Sequence, residues 1–361
     1  MRKLRAAIIG CGMIANSAHI PAYKHFSDKY ELVAICDVFE KAARETAENN
    51  GVPYYFTDAV EMFEKVKPDV VSVCAPNFLH KHFTMLALEH GANVICEKPL
   101  AFTLSDAKEM FSLAAEKGLY VTACQSMRFT PDRLAAKKFI ENGALGTPYY
   151  CEFSRVRRRG IPYWGTFHIK SRSGGGAFVD IGVHMLDAAI WLMGNPEVES
   201  VSGSAFTKLQ NELGSALSSG ALTGDIGNVR KFDPAEMDVE DFACGCVNFK
   251  NGLKMNFKVA WAANLPDETS ITVIGEKAGL ALPDGCVRTG IDDDNTLEIA
   301  KEVYESEYFP GHFHVIKDVY EVIVNKKEPI IKPEETMSVT GIIEAFYKSA
   351  ELGRPVSIDE L

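Results

Sequence analysis

In the stretch GGGAFVDIGVHMLDAAIW, residues 174–191, Asp180, His184 and Asp187 follow three glycines at offsets of four and then three. At 100° per residue, a helix running from about Ile181 brings these polar side chains within about 60° of one another. Trp191 falls on the same stripe one turn later, whereas Val183, Leu186, Ile190 and Met193 form a separate apolar face for a core to cover. An imidazole flanked by carboxylates suits general acid–base chemistry near neutral pH, because histidine titrates there and a neighbouring carboxylate orients it. The competing reading is a capping Asp180 and a satisfied, half-buried His184, which accounts for one residue of the three.

A second group points to a cofactor. Gly10-Cys11-Gly12-Met13-Ile14-Ala15 follows a predicted strand and opens a predicted helix, the context in which GxGxxG/A carries meaning. Gly10 permits the tight turn, Gly12 lets a pyrophosphate approach the backbone, and Ala15 lets helix pack on sheet, with unpaired N–H groups at the helix start facing the phosphates. Asp37 ends the next strand, where a carboxylate holds both ribose hydroxyls and repels a 2′-phosphate. NAD is therefore expected rather than NADP. Glu97-Lys98-Pro99 ends another strand at the same predicted sheet edge, the edge where open α/β sheets bind ligands. Lys98 there can steer a substrate oxygen or relay a proton, or be an ordinary solvated lysine. The following proline suggests a fixed turn that tolerates a cis bond.

The elements that must position these groups fall into two regimes. Residues 1–125 alternate apolar runs (RAAIIG, ELVAICD, DVVSVCAP, ANVICEKP, YVTACQS) with helical patterns near 13–26, 39–49, 79–90 and 104–117. That rhythm predicts βαβ units, a doubly wound parallel sheet and a Rossmann domain. From 126 to 361 the pattern becomes a helix ending at Gly143, then longer alternating segments around 148–159, 198–209, 241–250, 252–262 and 269–276. This predicts an α+β domain on an open, mostly antiparallel sheet, with a hairpin at Asn251-Gly252 and a last helix over 333–352. Residues 213–228, small and glycine-rich, are expected to form a mobile loop or irregular insert.

A chain of 361 residues with 47% apolar and 24% charged residues is long enough for two cores. A formal charge of -11 argues against nucleic acid as a partner. The positive N-terminus meets an apolar run too short for a secretion signal, and no run of about 18 apolar residues predicts a membrane span. Nine cysteines lacking paired metal spacing fit a reducing, cytoplasmic setting. Cys244/Cys246 and His312/His314, each two apart, lack further ligands nearby in sequence, so no metal site is expected. Cys11, Cys36, Cys74, Cys96 and Cys124 near strand ends read as tight packers with redox sensitivity as the rival. Alternating Arg155, Arg157 and Arg159 would share one strand face, solvated or facing another subunit. Tyr163-Trp164-Gly165 is either an aromatic wall for a sugar ring or a packed loop.

Taken in order, GCGMIA with Asp37, APNFLH ending at His80, CEKP, QSMRF with Arg128, and GGGAFVDIGVHMLD make a chain that resembles the Gfo/Idh/MocA oxidoreductases over nearly its whole length. The resemblance implies catalytic Lys98, Asp180 and His184, which would also meet the substrate, beside Trp164 if its loop supplies the aromatic wall. It implies cofactor contacts from Gly10, Gly12, Met13, Ile14, Asp37, Asn77, His80, Glu97, Lys98 and Arg128. The implied activity is NAD-dependent hydride transfer at a hydroxyl-bearing carbon of a sugar, sugar derivative or cyclitol, in a homodimer or homotetramer joined through the C-terminal sheet. Two alternatives stand beside it: an NAD-dependent glycoside hydrolase or eliminase that oxidises the sugar transiently, and a non-catalytic nucleotide-binding regulator.

Overall fold

The computed structural model describes residues 2–162, 164–210, 233–289, 296–298 and 309–361. Tyr163 and the expected loop at 213–228 lie outside them. The described residues divide into two compact units, the first comprising 2–126 and 309–336, the second the described part of 127–308 and 337–361.

The first unit is a six-stranded parallel sheet of β1 (Leu4–Ile9), β2 (Tyr30–Cys36), β3 (Tyr54–Phe56), β4 (Val70–Val73), β5 (Asn93–Cys96) and β6 (Val121–Ala123). Its spatial order is β3-β2-β1-β4-β5-β6, the doubly wound arrangement of a Rossmann domain. Strands β1 and β4 are apolar without alternation because helices cover both faces of a parallel sheet. Five strands were legible as apolar runs. The sixth, β3, has three residues, two of them exposed, and so carries no periodic signal.

Residues 309–336 pack with the first unit, although they follow most of the second in sequence. Their helix, Gly311–Asn325, belongs to the first unit. Tyr30 Oη donates to the Ile316 carbonyl at 2.8 Å, Tyr30 meets Tyr320 edge-on, and Phe26 packs against Phe309 and Phe313.

The second unit carries a nine-stranded sheet. Its strands are β7 (Pro148–Val156), β8 (Val198–Phe206), β9 (Phe242–Phe249), β10 (Lys254–Ala260), β11 (Glu268–Gly275), β12 (Ala278–Leu282), β13 (Cys286–Thr289), β14 (Thr296–Glu298) and β15 (Val356–Ser357). They lie in the order β14-β13-β12-β11-β7-β10-β9-β8-β15. All described pairings are antiparallel except β7 with β10. The β9–β10 hairpin turns at Asn251-Gly252 with Gly252 at φ 89°, and the helix Pro131–Glu141 is followed by Gly143 at φ 73°, as the sequence suggested.

The core of this unit gathers around the helix Val183–Leu192. The sequence suggested an amphipathic element, yet Met185, Ala188 and Ala189 are buried as fully as Val183, Leu186 and Ile190. The segment Lys170–Leu192 is apolar enough to cross a membrane by composition, with mean hydropathy 1.3, but 89% of that window is buried inside the protein. It is apolar because it is a core segment wrapped by sheet and helices.

Candidate active site

In the first unit the glycine turn is built as a phosphate cradle. Gly10 has φ 93°, and a Cβ on it would meet the Cys74 carbonyl oxygen at 2.6 Å, so only glycine fits. A Cβ on Gly12 would have nothing within 4 Å, which leaves the turn open on the side a pyrophosphate would approach. Met13 is exposed and Ile14 half-exposed at the helix start. Ala15–His19 forms a π-helical turn before Ile20–His25 continues the helix. Asp37 lies beside the turn, where one carboxylate oxygen accepts the Cys11 N–H at 2.8 Å and the other accepts the Phe39 N–H at 2.9 Å. The acid is thus fixed at the strand end while half-exposed, the placement a ribose hydroxyl pair requires. These residues fit NAD.

Lys98 and Asn77 are half-exposed at the ends of neighbouring strands, and the Lys98–Pro99 bond is cis. Three of the expected cofactor residues are occupied in other ways. Glu97 turns its carboxylate inward: one oxygen accepts from His19 Nε2 at 2.9 Å and His312 Nε2 at 3.1 Å, the other from the Lys98 N–H at 3.2 Å. Burial alone would raise this acid, but the hydrogen bonds and charge of the two imidazoles prevail and hold it well below the usual carboxylate range. Burial lowers His19 while its bond to Glu97 opposes the shift, and its Nδ1 lies 3.0 Å from Ser72 Oγ. The Glu97 carboxylate therefore anchors the backbone of Lys98.

His80 is also buried. Its Nδ1 is 2.7 Å from the Pro99 carbonyl and its Nε2 2.9 Å from the Ala75 carbonyl, so it braces two strand-end loops. Arg128, the third, is fully buried in the second unit, its Nε 2.8 Å from Asp187 Oδ2 and its Nη2 2.5 Å from Oδ1. Its guanidinium also lies 5.8 Å from the centre of the Trp191 ring. The polar stripe read from the sequence therefore splits. Asp187 and Trp191 serve this buried ion pair, and Asp180 and His184 remain half-exposed.

The reason lies in the helix start. Helical structure begins near Ala177, ahead of the expected Ile181, and Phe178–Gly182 forms a π-helical turn that departs from 100° per residue. The glycines ahead of it are steric necessities. A Cβ on Gly175 would meet Tyr347 Oη at 2.0 Å and one on Gly176 the Glu240 carbonyl oxygen at 2.0 Å. Glu240 reaches into this gap, accepting the N–H groups of Gly176 and Phe178 and the Tyr347 hydroxyl, each at 2.9 Å. Burial pushes its carboxyl up and these hydrogen bonds oppose the shift. Sequence reasoning missed Glu240 and Tyr347, which follow the glycines by 64 residues and more.

Asp180 is held by Trp261, whose buried Nε1 donates to Oδ2 at 2.9 Å from the residue just after β10. Arg155 is lowered by burial and by Arg157, and Asp180 counteracts that shift. The expected shared face of Arg155, Arg157 and Arg159 does not form, because β7 stops at Val156 and the chain then turns. Trp164 is half-buried with its ring edge-on to Phe167 at 6.3 Å. The cysteines named above are free thiols, and burial raises each of them, Cys36 to about 12, which favours the packing role.

Residues 4–124 match a family model described as an oxidoreductase family NAD-binding Rossmann fold, and residues 137–358 match the C-terminal alpha/beta domain of the same family. D-glucoside 3-dehydrogenase of Escherichia coli (strain K12) is 33% identical over 357 residues, covering 98% of this chain and 97% of that protein. Myo-inositol 2-dehydrogenase of Thermotoga maritima is 30% identical over 362 residues, covering 99% of each. Among solved structures, a levoglucosan dehydrogenase in complex with NADH and levoglucosan superposes with a TM-score of 0.81 at 21% identity, covering 99% of this chain and 100% of that one. An oxidoreductase domain protein from Kribbella flavida gives 0.82 at 22%, covering 99% and 100%. With the glycine cradle, the fixed Asp37 and family matches across both units, the chain belongs to the Gfo/Idh/MocA oxidoreductases, a family with an NAD-binding Rossmann fold.

Proposed function

We propose that the chain oxidises a ring hydroxyl of a pyranoside or cyclitol. The observation that carries this reading is the half-exposed Asp180 and His184 at a helix start, with Asp180 fixed by the buried indole of Trp261. When bound, NAD accepts the hydride. In the second unit His184 is the group to take a hydroxyl proton, and in the first unit the Lys98 ammonium is the group suited to stabilise a developing negative charge. Asp180 orients the imidazole or holds an adjacent hydroxyl, and Glu97 keeps the Lys98 backbone in place. The similarity to D-glucoside 3-dehydrogenase and myo-inositol 2-dehydrogenase supports a cyclic polyol as substrate. A homodimer or homotetramer through the nine-stranded sheet, and a cytoplasmic location suited to free thiols, belong to the same proposal.

The test is a panel of glucosides, aldoses and cyclitols incubated with NAD and followed at 340 nm, with light scattering on the same sample. At least one member is expected to give NADH, and His184→Ala to lower kcat by about 10²–10⁴ with NAD affinity intact. Release of an aglycone with no net NADH would replace this reading by the eliminase. NAD binding with no turnover of any member would leave the regulator.

A further inference from the structure

The cluster around Glu97 does more than anchor a backbone. His19, Glu97, Cys124 and His312 come from four separate segments of the first unit, and one ligand atom of each lies within 4.8 Å of all the others. We propose that this cluster is a binding site for one divalent cation of the zinc class, with a His₂CysGlu donor set.

The donor types are those a borderline-soft cation selects: two imidazoles, one sulfur and one carboxylate. Zinc bonds of about 2.0–2.1 Å to nitrogen and oxygen place ligand atoms 2.9 and 3.1 Å apart at angles of about 90° and 100° at the metal, so only a slight opening is needed to reach a tetrahedral arrangement. The outer shell is built as well. His19 Nδ1 is 3.0 Å from Ser72 Oγ, which lies 2.8 Å from the Tyr23 hydroxyl, and the second Glu97 oxygen is held by the Lys98 N–H. A cation bound at the two Nε2 atoms displaces their protons, and His19 then takes the Nδ1–H tautomer and donates to Ser72 Oγ, the outer-shell bond that directs a ligating imidazole. His19, Glu97 and Cys124 are buried, and His312, 17% exposed, gives the cation a way in. Four protein donors close the coordination sphere, so the site is structural or regulatory rather than a place for metal-bound water. A bound cation ionises a coordinating thiol outright, and its binding energy adds to the stability of the first unit.

The test uses the full chain, stripped with chelator and titrated with Co²⁺. One equivalent is expected to give visible tetrahedral absorption and a near-ultraviolet thiolate-to-cobalt band, both erased by Zn²⁺. Cys124→Ser should remove the near-ultraviolet band, and His312→Ala should weaken binding about tenfold or more. Cys246→Ser, a control in the second unit, should change neither. Absence of a saturable spectrum in the unmodified protein overturns the site, as does a spectrum unmoved by both Cys124→Ser and His312→Ala. This outcome is independent of the sugar assay: a chain that turns over sugars but binds no metal, and one that binds metal but oxidises none of the panel, are both distinguishable results.

Discussion

A buried histidine between two carbonyl oxygens is in a conflicted position, and His80 shows how the conflict resolves. Both its ring nitrogens face acceptors, which suits a doubly protonated ring, but desolvation prevails over these hydrogen bonds and lowers its pKa below the ordinary 6.5. The unfolded chain then binds a proton below pH 6.5 that the folded one refuses. Stability from this residue is complete above that pH and is lost as pH falls through 6.5 and below. Urea midpoints at pH 7.5 and 5.5 should drop less for His80→Gln than for the unmodified protein, and an equal drop would refute the account. The same substitution should cost about 1–3 kcal/mol at pH 7.5 by leaving a carbonyl without its donor. At this scale the sequence was readable by type and silent on partner. Asp37 and the glycine turn are neighbours in a short βαβ unit, so their roles follow from local order. The bonds of Glu97 to His19 and His312, and of His80 to two carbonyls, were not legible, because nothing in the sequence joins His19 to residue 97 or His312 to both.

Helix starts decide which of these side chains reach a ligand. Both helices that carry site residues begin with a π-helical turn, at Ala15–His19 and at Phe178–Gly182. Such turns sit disproportionately at functional sites. In the second, the extra residue per turn separates Asp180 from the Asp187–Arg128 pair. A reading at 100° per residue cannot foresee that shift, because it assumes a constant angle. The glycines around these starts have opposite purposes, and alanine distinguishes them. Gly176→Ala should destabilise the fold by about 2–4 kcal/mol in urea unfolding, since its Cβ would press on the Glu240 backbone. Gly12→Ala meets no protein atom within 4 Å and should leave the midpoint near its original value while weakening NAD binding in a fluorescence titration. If Gly176→Ala proves as stable as the parent, the tight approach of Glu240 is not a constraint.

For the whole molecule, the two regimes of the sequence correspond to two sheets, and the main surprise is that the chain returns to the first unit at 309–336. Periodicity identifies a helix but not the core it serves, and Gly311–Asn325 attaches through Tyr30 and Phe26, nearly 300 residues away. A fragment of residues 1–126 should therefore expose an aromatic face and show no cooperative melt by circular dichroism. Joining residues 309–336 to it through a flexible linker should restore one; a sharp transition in the short fragment would show that the returning helix is dispensable. The wide second sheet carries one further consequence. Neighbouring strands that run the same way cannot be joined by a hairpin and need a long crossover. Between β7 and β10 that crossover contains the glycine run and the helix bearing Asp180 and His184. Both strands finish at the same rim, where Trp261 grips Asp180, so the two side chains proposed to act on substrate are carried by the crossover of the parallel pair in an otherwise antiparallel sheet.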